Sequence, residues 1–316
     1  MKSLILAAGF GTRLRPLTNS RPKPLCPFFG VPFLELALSR VSKEAKDIAV
    51  NTHYLGETIE KYLALHHQEK PLKVFHEPEI RGTGGALFPL RSWLGDEPLL
   101  IYNADIISNI DISRVINAHR KSNSIATMVM LPHAIPLKTP VYCQDSQVLA
   151  FGDKPPSSNG KFTFSGIHIV SSEFVSRIPE TVPWSVIDTY KKLIAEGHRV
   201  QAYFHSGFWS DLGTPQSLWE SHIEVLKSNP NKLLSELGVT EARAKFMYPS
   251  LVCDTKNHSA WRDTINLQGR CFNSLVDSDQ SIQQTIHDSL IIHPKMTIHN
   301  QPIQRRLYID EVELSF

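Results

Sequence analysis

Leu4-Ile5-Leu6-Ala7-Ala8-Gly9-Phe10-Gly11-Thr12-Arg13-Leu14-Arg15-Pro16-Leu17-Thr18, with Pro22-Lys23-Pro24-Leu25 close behind, decides how this chain folds. An apolar run that stops at small residues reads as a buried strand feeding a loop. Gly9 and Gly11 let backbone N–H groups approach an anion closely, and Arg13, Arg15 and Lys23 follow at once with positive charge. The segment predicts a strand, then a loop shaped for the phosphates of a nucleoside triphosphate.

Two common phosphate loops are excluded by spacing. A Walker A loop needs four residues between its glycines and a Gly-Lys-Ser/Thr ending, neither of which is present. The dinucleotide fingerprint fails because Leu14 stands where a third glycine should admit close helix packing.

Outward from this loop, short apolar runs alternate with amphipathic stretches. Leu4 to Ala7, Ile48 to Asn51, Lys73 to Phe75, Leu99 to Asn103 and Ala126 to Leu131 read as strands. Leu34, Leu38 and Val41 mark one helix face, and Ile59, Tyr62 and Leu63 another. This order predicts an α/β fold, a mostly parallel central sheet flanked by helices, with ligands outside the carboxyl ends of its strands. Asp105 directly follows such a strand, where a carboxylate either caps the next element or offers hard oxygens to Mg²⁺. Thr214-Pro215 reads as a helix N-cap with proline at the first helical position.

The extended string Leu-Ala-x-Gly-x-Gly-Thr-Arg-Leu-x-Pro-x-Thr followed by Pro-Lys-Pro resembles the signature of the sugar-1-phosphate nucleotidylyltransferases, the NDP-sugar pyrophosphorylases. The resemblance spans residues 1 to about 226 and implies the Rossmann-like nucleotidyltransferase fold of that family. It implies binding of an NTP and a sugar-1-phosphate, with Arg13 and Lys23 as catalytic cations and Ala7, Ala8, Gly9, Gly11, Thr12, Gly84 and Gly85 as nucleotide contacts. Asn103-Ala104-Asp105 resembles the family's first metal segment, and Trp209-Ser210-Asp211-Leu212-Gly213-Thr214-Pro215 its second, so the likeness implies Mg²⁺ on Asp105 and Asp211. Asp153-Lys154-Pro155 is similar to the family's Glu-Lys-Pro, with a carboxylate one methylene shorter. The likeness assigns Lys154, with Asn103 and Gly166, to the sugar phosphate.

Within the family the chain is nearest to bacterial mannose- or heptose-1-phosphate guanylyltransferases and N-acetylmuramate-1-phosphate uridylyltransferase. Glu77 and Glu79, before the glycine-rich Gly82-Thr83-Gly84-Gly85, offer acceptors for a guanine, but uridylyl-transferring relatives are also acidic there. The expectation is guanylyl transfer to mannose-1-phosphate. The alternatives are cell-wall-recycling uridylyl transfer and a non-catalytic subunit that binds a nucleotide sugar. Intact Arg13, Lys23, Asp105 and Asp211 argue against the silent subunit. A glycosyltransferase would want Asp-x-Asp, whereas Ile106 and Ile107 follow Asp105.

Composition narrows the partners. Among 316 residues, 33 Lys and Arg face 31 Asp and Glu, so no overall basic field points to nucleic acid. No apolar run approaches the roughly 18 residues that span a bilayer, so no membrane partner is expected. Cys26, Cys143, Cys253 and Cys271 lie far apart without CxxC spacing, which fits a reducing cytoplasm rather than a disulfide framework or zinc site.

Three segments are expected. Residues 1–226 form a catalytic domain, 227–250 a linker or helical connection, and 251–316 a short β-rich extension. Ile286, Ile292 and Ile298 recur every six residues and resemble a degenerate left-handed β-helix of hexapeptide coils. His287, His293 and His299 share that step and would stack along one face of such coils. The extension is the expected contact of a homo-oligomer.

Overall fold

In a computed structural model, the described residues are 1–68, 72–132, 134–135, 138–152, 160–245, 251–254, 256–257, 259–262, 271–272, 274–277, 286–287, 289–292, 303–304, 306–309 and 312–315. They divide into two compact units that do not follow chain order. The first comprises Met1–Gly9, Arg40–Ile106 and Ile110–Trp209, and the second Phe10–Ser39, Ile107–Asn109 and Ser210–Phe316.

The first unit is built on a nine-stranded sheet. Its strands in chain order are β1 Lys2–Leu6, β2 Asp47–Thr52, β3 Lys73–His76, β4 Leu99–Asn103, β5 Ala126–Leu131, β6 Pro140–Gln144, β7 Gln147–Phe151, β8 Gly160–Val170 and β9 Val200–Phe204. One half, ordered β3-β2-β1-β4, is wholly parallel, with Leu6 in register with Asn51 on one side and Asn103 on the other. That register brings three strand ends together at the start of the glycine loop. Beyond β4 the sheet is mixed: β8 runs antiparallel to both β4 and β5, while β9 pairs parallel with β5.

Apolar residues from one face of this sheet, including Leu4, Ile101, Met128 and Val170, join Leu90, Phe174 and Leu193 in one core. Parallel strands covered on both sides read as continuous apolar runs, as Leu99-Leu100-Ile101-Tyr102 does. Within this core, the His168 imidazole lies 2.7 Å from the Tyr190 hydroxyl, and complete burial pushes its pKa down to about 3.

The second unit carries the cationic loop, the hairpin Pro27–Phe28 and Val31–Pro32, most of the helix Phe33–Val41, and three further helices among its described residues. These three are Pro215–Lys227, Pro230–Glu236 and Val239–Lys245. A Thr214–Ser217 capping box starts the first of them, with Pro215 in its first turn. His222 on that helix is also fully buried, with its pKa pushed down to about 3 by desolvation.

The tail winds into parallel ladders. Ala260, Leu275, Leu290 and Leu307 stand in register along one, and Cys271, Ile286 and Ile303 along another. Ser259, Ser274 and Ser289 stack as well: each hydroxyl accepts the backbone N–H one coil on, from Ser274 at 3.3 Å and from Ser289 and Arg306 at 3.0 Å. Coils therefore repeat every 15 residues and then 17. Ile286 and Ile292 lie in different ladders, so the six-residue step moves from one ladder to the next within a coil. His287 stands in register with Phe272 and Gln304; His293 and His299, expected to share its face, fall outside the described residues.

Burial of His168 and His222 sets a pH dependence of stability. Both are held neutral, so the unfolded chain, with histidine pKa near about 6.5, binds more protons as pH falls from about 6.5 toward 3. The melting temperature is expected to drop between pH 6.5 and 4.5, each histidine contributing up to about 1.4 kcal/mol per pH unit. Thermal melts check this, and a flat profile across that window refutes it.

Candidate active site

In the first unit the site is assembled at the end of β1. The N–H of Ala7 donates to Asn51 Oδ1 at 2.8 Å, and Asn51 Nδ2 donates to Glu77 Oε1 at 2.7 Å. Glu77 Oε2 accepts the backbone N–H of Arg81 at 2.9 Å. Glu77 is only 2% exposed, and a buried carboxylate needs such donors. Glu77 thus acts as a brace, orienting Asn51 and through it the chain at Ala7. Glu79, exposed on the following bend, is the acidic side chain that faces solvent.

Ala7 keeps its carbonyl as the polar group it can offer a base, because its N–H is engaged by Asn51. Gly9 is exposed, and a Cβ there would meet nothing within 4 Å. A ligand can approach its backbone freely.

The Gly82–Gly85 turn has a packing explanation. The N–H groups of Gly84 and Gly85 both donate to Trp184 O, at 2.9 and 3.1 Å. A Cβ on Gly84 would sit 2.8 Å from the backbone of Ser185 and Val186. These two amides therefore face the chain entering the helix Val186–Ala195.

Asn103 and Gly166 are brought together by pairing of β4 with β8, in which Tyr102 faces Ile167. Gly166 has φ +84, and a Cβ there would lie 2.7 Å from Asn103 Nδ2. The backbone is irregular here, with the β8 register shifting between Phe164 and His168. Trp209 Nε1 donates to Ser165 O at 2.9 Å, bracing the same bend. Asp105 occupies the tight turn after β4, half-buried, and Ala104 N–H ties that turn to Leu6 O at 3.1 Å. Asp153 and Lys154 lie outside the described residues.

In the second unit Gly11 adopts φ +63 and precedes a 3₁₀ turn, Thr12–Leu14. Thr18 explains the Pro-x-Thr of the motif: its buried hydroxyl donates to Gly11 O at 2.8 Å and closes the loop. Arg13 and Arg15 are left exposed. A second 3₁₀ turn, Lys23–Leu25, carries Lys23, whose Nζ lies 3.8 Å from Asp211 Oδ1; their side chains are 12% and 13% exposed. Arg13 and Asp211 meet at Gly213, with Lys23 beside Asp211. A Cβ on Gly213 would be 2.8 Å from Arg13 Nη2 and 3.0 Å from Asp211 Oδ1.

Comparison with known proteins identifies the family. The profile of the Nucleotidyl transferase family matches residues 2–228. The chain belongs to the nucleotidyl transferase family. It is 32% identical over 222 residues to the mannose-1-phosphate guanylyltransferase catalytic subunit beta of Drosophila pseudoobscura pseudoobscura, covering 68% of this chain and 60% of that one. With the mannose-1-phosphate guanylyltransferase of Mycobacterium tuberculosis it shares 26% identity over 234 residues, covering 71% and 64%.

Among solved structures, HddC from Yersinia pseudotuberculosis, complexed with GMP-PN, superposes with a TM-score of 0.59 at 20% identity, over 70% of this chain and 97% of that one. A UDP-glucose pyrophosphorylase from Acinetobacter baumanii gives 0.61 at 18% identity, over 78% and 98%. These two show a shared nucleotidyl transferase fold. The family expected from the N-terminal motif is the family found.

Asn51 holds the chain at Ala7, a place the N-terminal motif alone does not assign it. Asn51 is signalled by a polar residue ending the apolar run Ile48-Ala49-Val50, beside the strand that feeds the loop.

Proposed function

We propose that the chain transfers a nucleoside monophosphate from an NTP to a sugar-1-phosphate, releasing pyrophosphate, with GTP and mannose-1-phosphate as the favoured pair. An oxygen of the sugar phosphate forms the new bond to the α-phosphorus while the bridging α–β P–O bond breaks and its electrons leave with pyrophosphate. The sugar phosphate is already anionic, so no general base is required; orientation and charge stabilisation carry the reaction. The meeting of Arg13 and Asp211 at Gly213, with Lys23 beside Asp211, supports this reading most directly. The named guanylyltransferase relatives favour the GTP and mannose choice.

In this reading Arg13 meets the β- and γ-phosphates, and Lys23 the α-phosphate and departing pyrophosphate. Backbone at Ala7, Ala8, Gly9, Gly11 and Thr12 lies along the nucleotide. Asn103 and Gly166 shape the sugar pocket, and Lys154 neutralises the attacking phosphate. Asp105 and Asp211 are the carboxylates assigned to Mg²⁺, which when bound withdraws charge from the α-phosphate. Among the described residues no group of three or more His, Cys, Asp or Glu could enclose an ion. Carboxylate oxygens suit a hard cation that would take phosphate and water oxygens as its remaining ligands.

No helix among the described residues is long and apolar enough to cross a membrane, and none of the four cysteines is in a disulfide. A cytoplasmic enzyme, oligomeric through residues 251–316, completes the proposal. The test is pyrophosphate release by the full chain across four triphosphates and a panel of sugar-1-phosphates, with and without Mg²⁺. Mg²⁺-dependent release with GTP and mannose-1-phosphate is expected. Release with UTP and N-acetylmuramate-1-phosphate alone overturns the substrate choice, and binding of a nucleotide sugar without turnover overturns the enzyme reading.

A further inference from the structure

The hairpin that follows Lys23 turns at Phe29 and Gly30, with φ 47 and 78. Left-handed backbone is costly for a residue with a Cβ and persists only where its surroundings over-determine it. Phe29 is fully buried, so both of its backbone polar groups need partners. Its N–H donates to His222 Nε2 at 2.9 Å, and its carbonyl accepts from Arg243 Nη1 at 2.7 Å. His222 Nδ1 faces the Leu218 carbonyl at 2.8 Å, which fixes the proton on Nδ1 and leaves Nε2 as the acceptor. The imidazole also packs between the rings of Phe28 and Phe29, at 4.4 and 4.6 Å.

Arg243 is 5% exposed, and burying a guanidinium at a single turn is an expensive way merely to fill space. The helix that carries it, Val239–Lys245, grips the segment after the hairpin as well. Lys245 Nζ lies 3.6 Å from the buried Glu35 carboxylate, and Gly238 is so close to Ser39 that a Cβ would lie 2.6 Å from its hydroxyl. On the other side the hairpin is tied to the lysine turn. Cys26 N–H donates to Lys23 O at 3.0 Å, and Phe33 N–H to Cys26 O at 3.0 Å.

We propose that His222 and Arg243 are positioning residues for Lys23, holding the turn at Phe29 so that the 3₁₀ turn before it presents its ammonium in one place. The inference rests on the reading of Lys23 as a triphosphate ligand. It adds that residues beyond the phosphate motifs, on helices leading to the tail, set triphosphate affinity.

The test uses the full chain and Arg243→Met, which keeps a long apolar stem and removes the donor. GTP is the probe for binding, both KM values are measured, and hydrogen exchange is followed in the peptide 23–33. Loss of a charged hydrogen bond to a buried carbonyl predicts about a tenfold rise in Kd and KM for GTP. KM for the sugar phosphate stays within about twofold and exchange in 23–33 accelerates, with partial rescue by Arg243→Lys. Adding Lys23→Ala to Arg243→Met is expected to cost less than the two penalties combined, because both act through one ammonium. If Arg243→Met does not fold, His222→Gln is read by the same measurements.

Unchanged GTP affinity in a folded variant, or penalties that simply add, overturn the inference. A wild-type chain that binds no triphosphate overturns the functional reading instead.

Discussion

Replacing Lys23 with alanine is expected to lower turnover by about three orders of magnitude with the melting temperature nearly unchanged. Lys23 is the less solvated of the two motif cations, since its side chain is 12% exposed whereas Arg13 is exposed. A partly desolvated ammonium interacts more strongly with a developing phosphate charge than one surrounded by water. Its 3.8 Å separation from Asp211 is too long for a tight hydrogen-bonded pair. The ammonium is thus held near the carboxylate, in the place the proposed function assigns to the α-phosphate. Stability changes little because the turn Lys23–Leu25 is closed by backbone, with Cys26 N–H on the carbonyl of residue 23, a bond that alanine retains. Steady-state kinetics with a thermal melt on the same preparation check both halves. Near-wild-type turnover would remove Lys23 from the chemistry.

What the letters revealed, and what they hid, follows the range of the interactions involved. The strands Lys2–Leu6, Asp47–Thr52, Leu99–Asn103 and Ala126–Leu131 were legible because each carries a short, largely buried apolar run. Leu99–Asn103 and Ala126–Leu131 were read with the ends the structure gives them. The strands Pro140–Gln144, Gln147–Phe151 and Val200–Phe204 escaped because they mix polar and apolar residues; the first two pair as a local hairpin, and the third gains its order from Ala126–Leu131, far earlier in the chain. The loop motif was legible as chemistry, yet its closing bond from Thr18 to Gly11 was not.

Glycine proved the most ambiguous letter. At Gly84 a small residue is required because the chain at Ser185 passes too close for a Cβ, whereas at Gly9 there is open space for a ligand. The same letter serves packing in one place and access in the other, and only tertiary contacts separate them. The tail hid its period for a related reason: its stacking partners are 15 and 17 residues apart, so unequal coils blur any fixed repeat. His222 and Arg243 could not be found from the motif, since their partner is the backbone of Phe29, about two hundred residues away in the chain.

Gly213 gives the sharpest separation of function from folding. Alanine there would place a methyl 2.8 Å from Arg13 Nη2 and 3.0 Å from Asp211 Oδ1, both inside normal contact distance. The atoms that must yield are the ends of side chains, and the exposed guanidinium can swing into solvent without moving backbone. Gly213 is outside the left-handed region, so a Cβ brings no backbone strain. Gly→Ala at a compatible position stabilises by about 0.4 to 1 kcal/mol through the unfolded chain. Gly213→Ala is therefore expected to melt at or slightly above the wild-type temperature. Its activity is expected to fall about a hundredfold, the cost of displacing a catalytic group by about 1 Å. The loss should appear in KM for the triphosphate as well as in kcat, because Arg13 is assigned to the β- and γ-phosphates. In an Arg13→Ala background the same substitution should cost much less, since the group it displaces is already gone. A stable Gly213→Ala chain with full activity would mean that Arg13 and Asp211 need not stand where the structure puts them, and the assignment of this convergence to catalysis would fall.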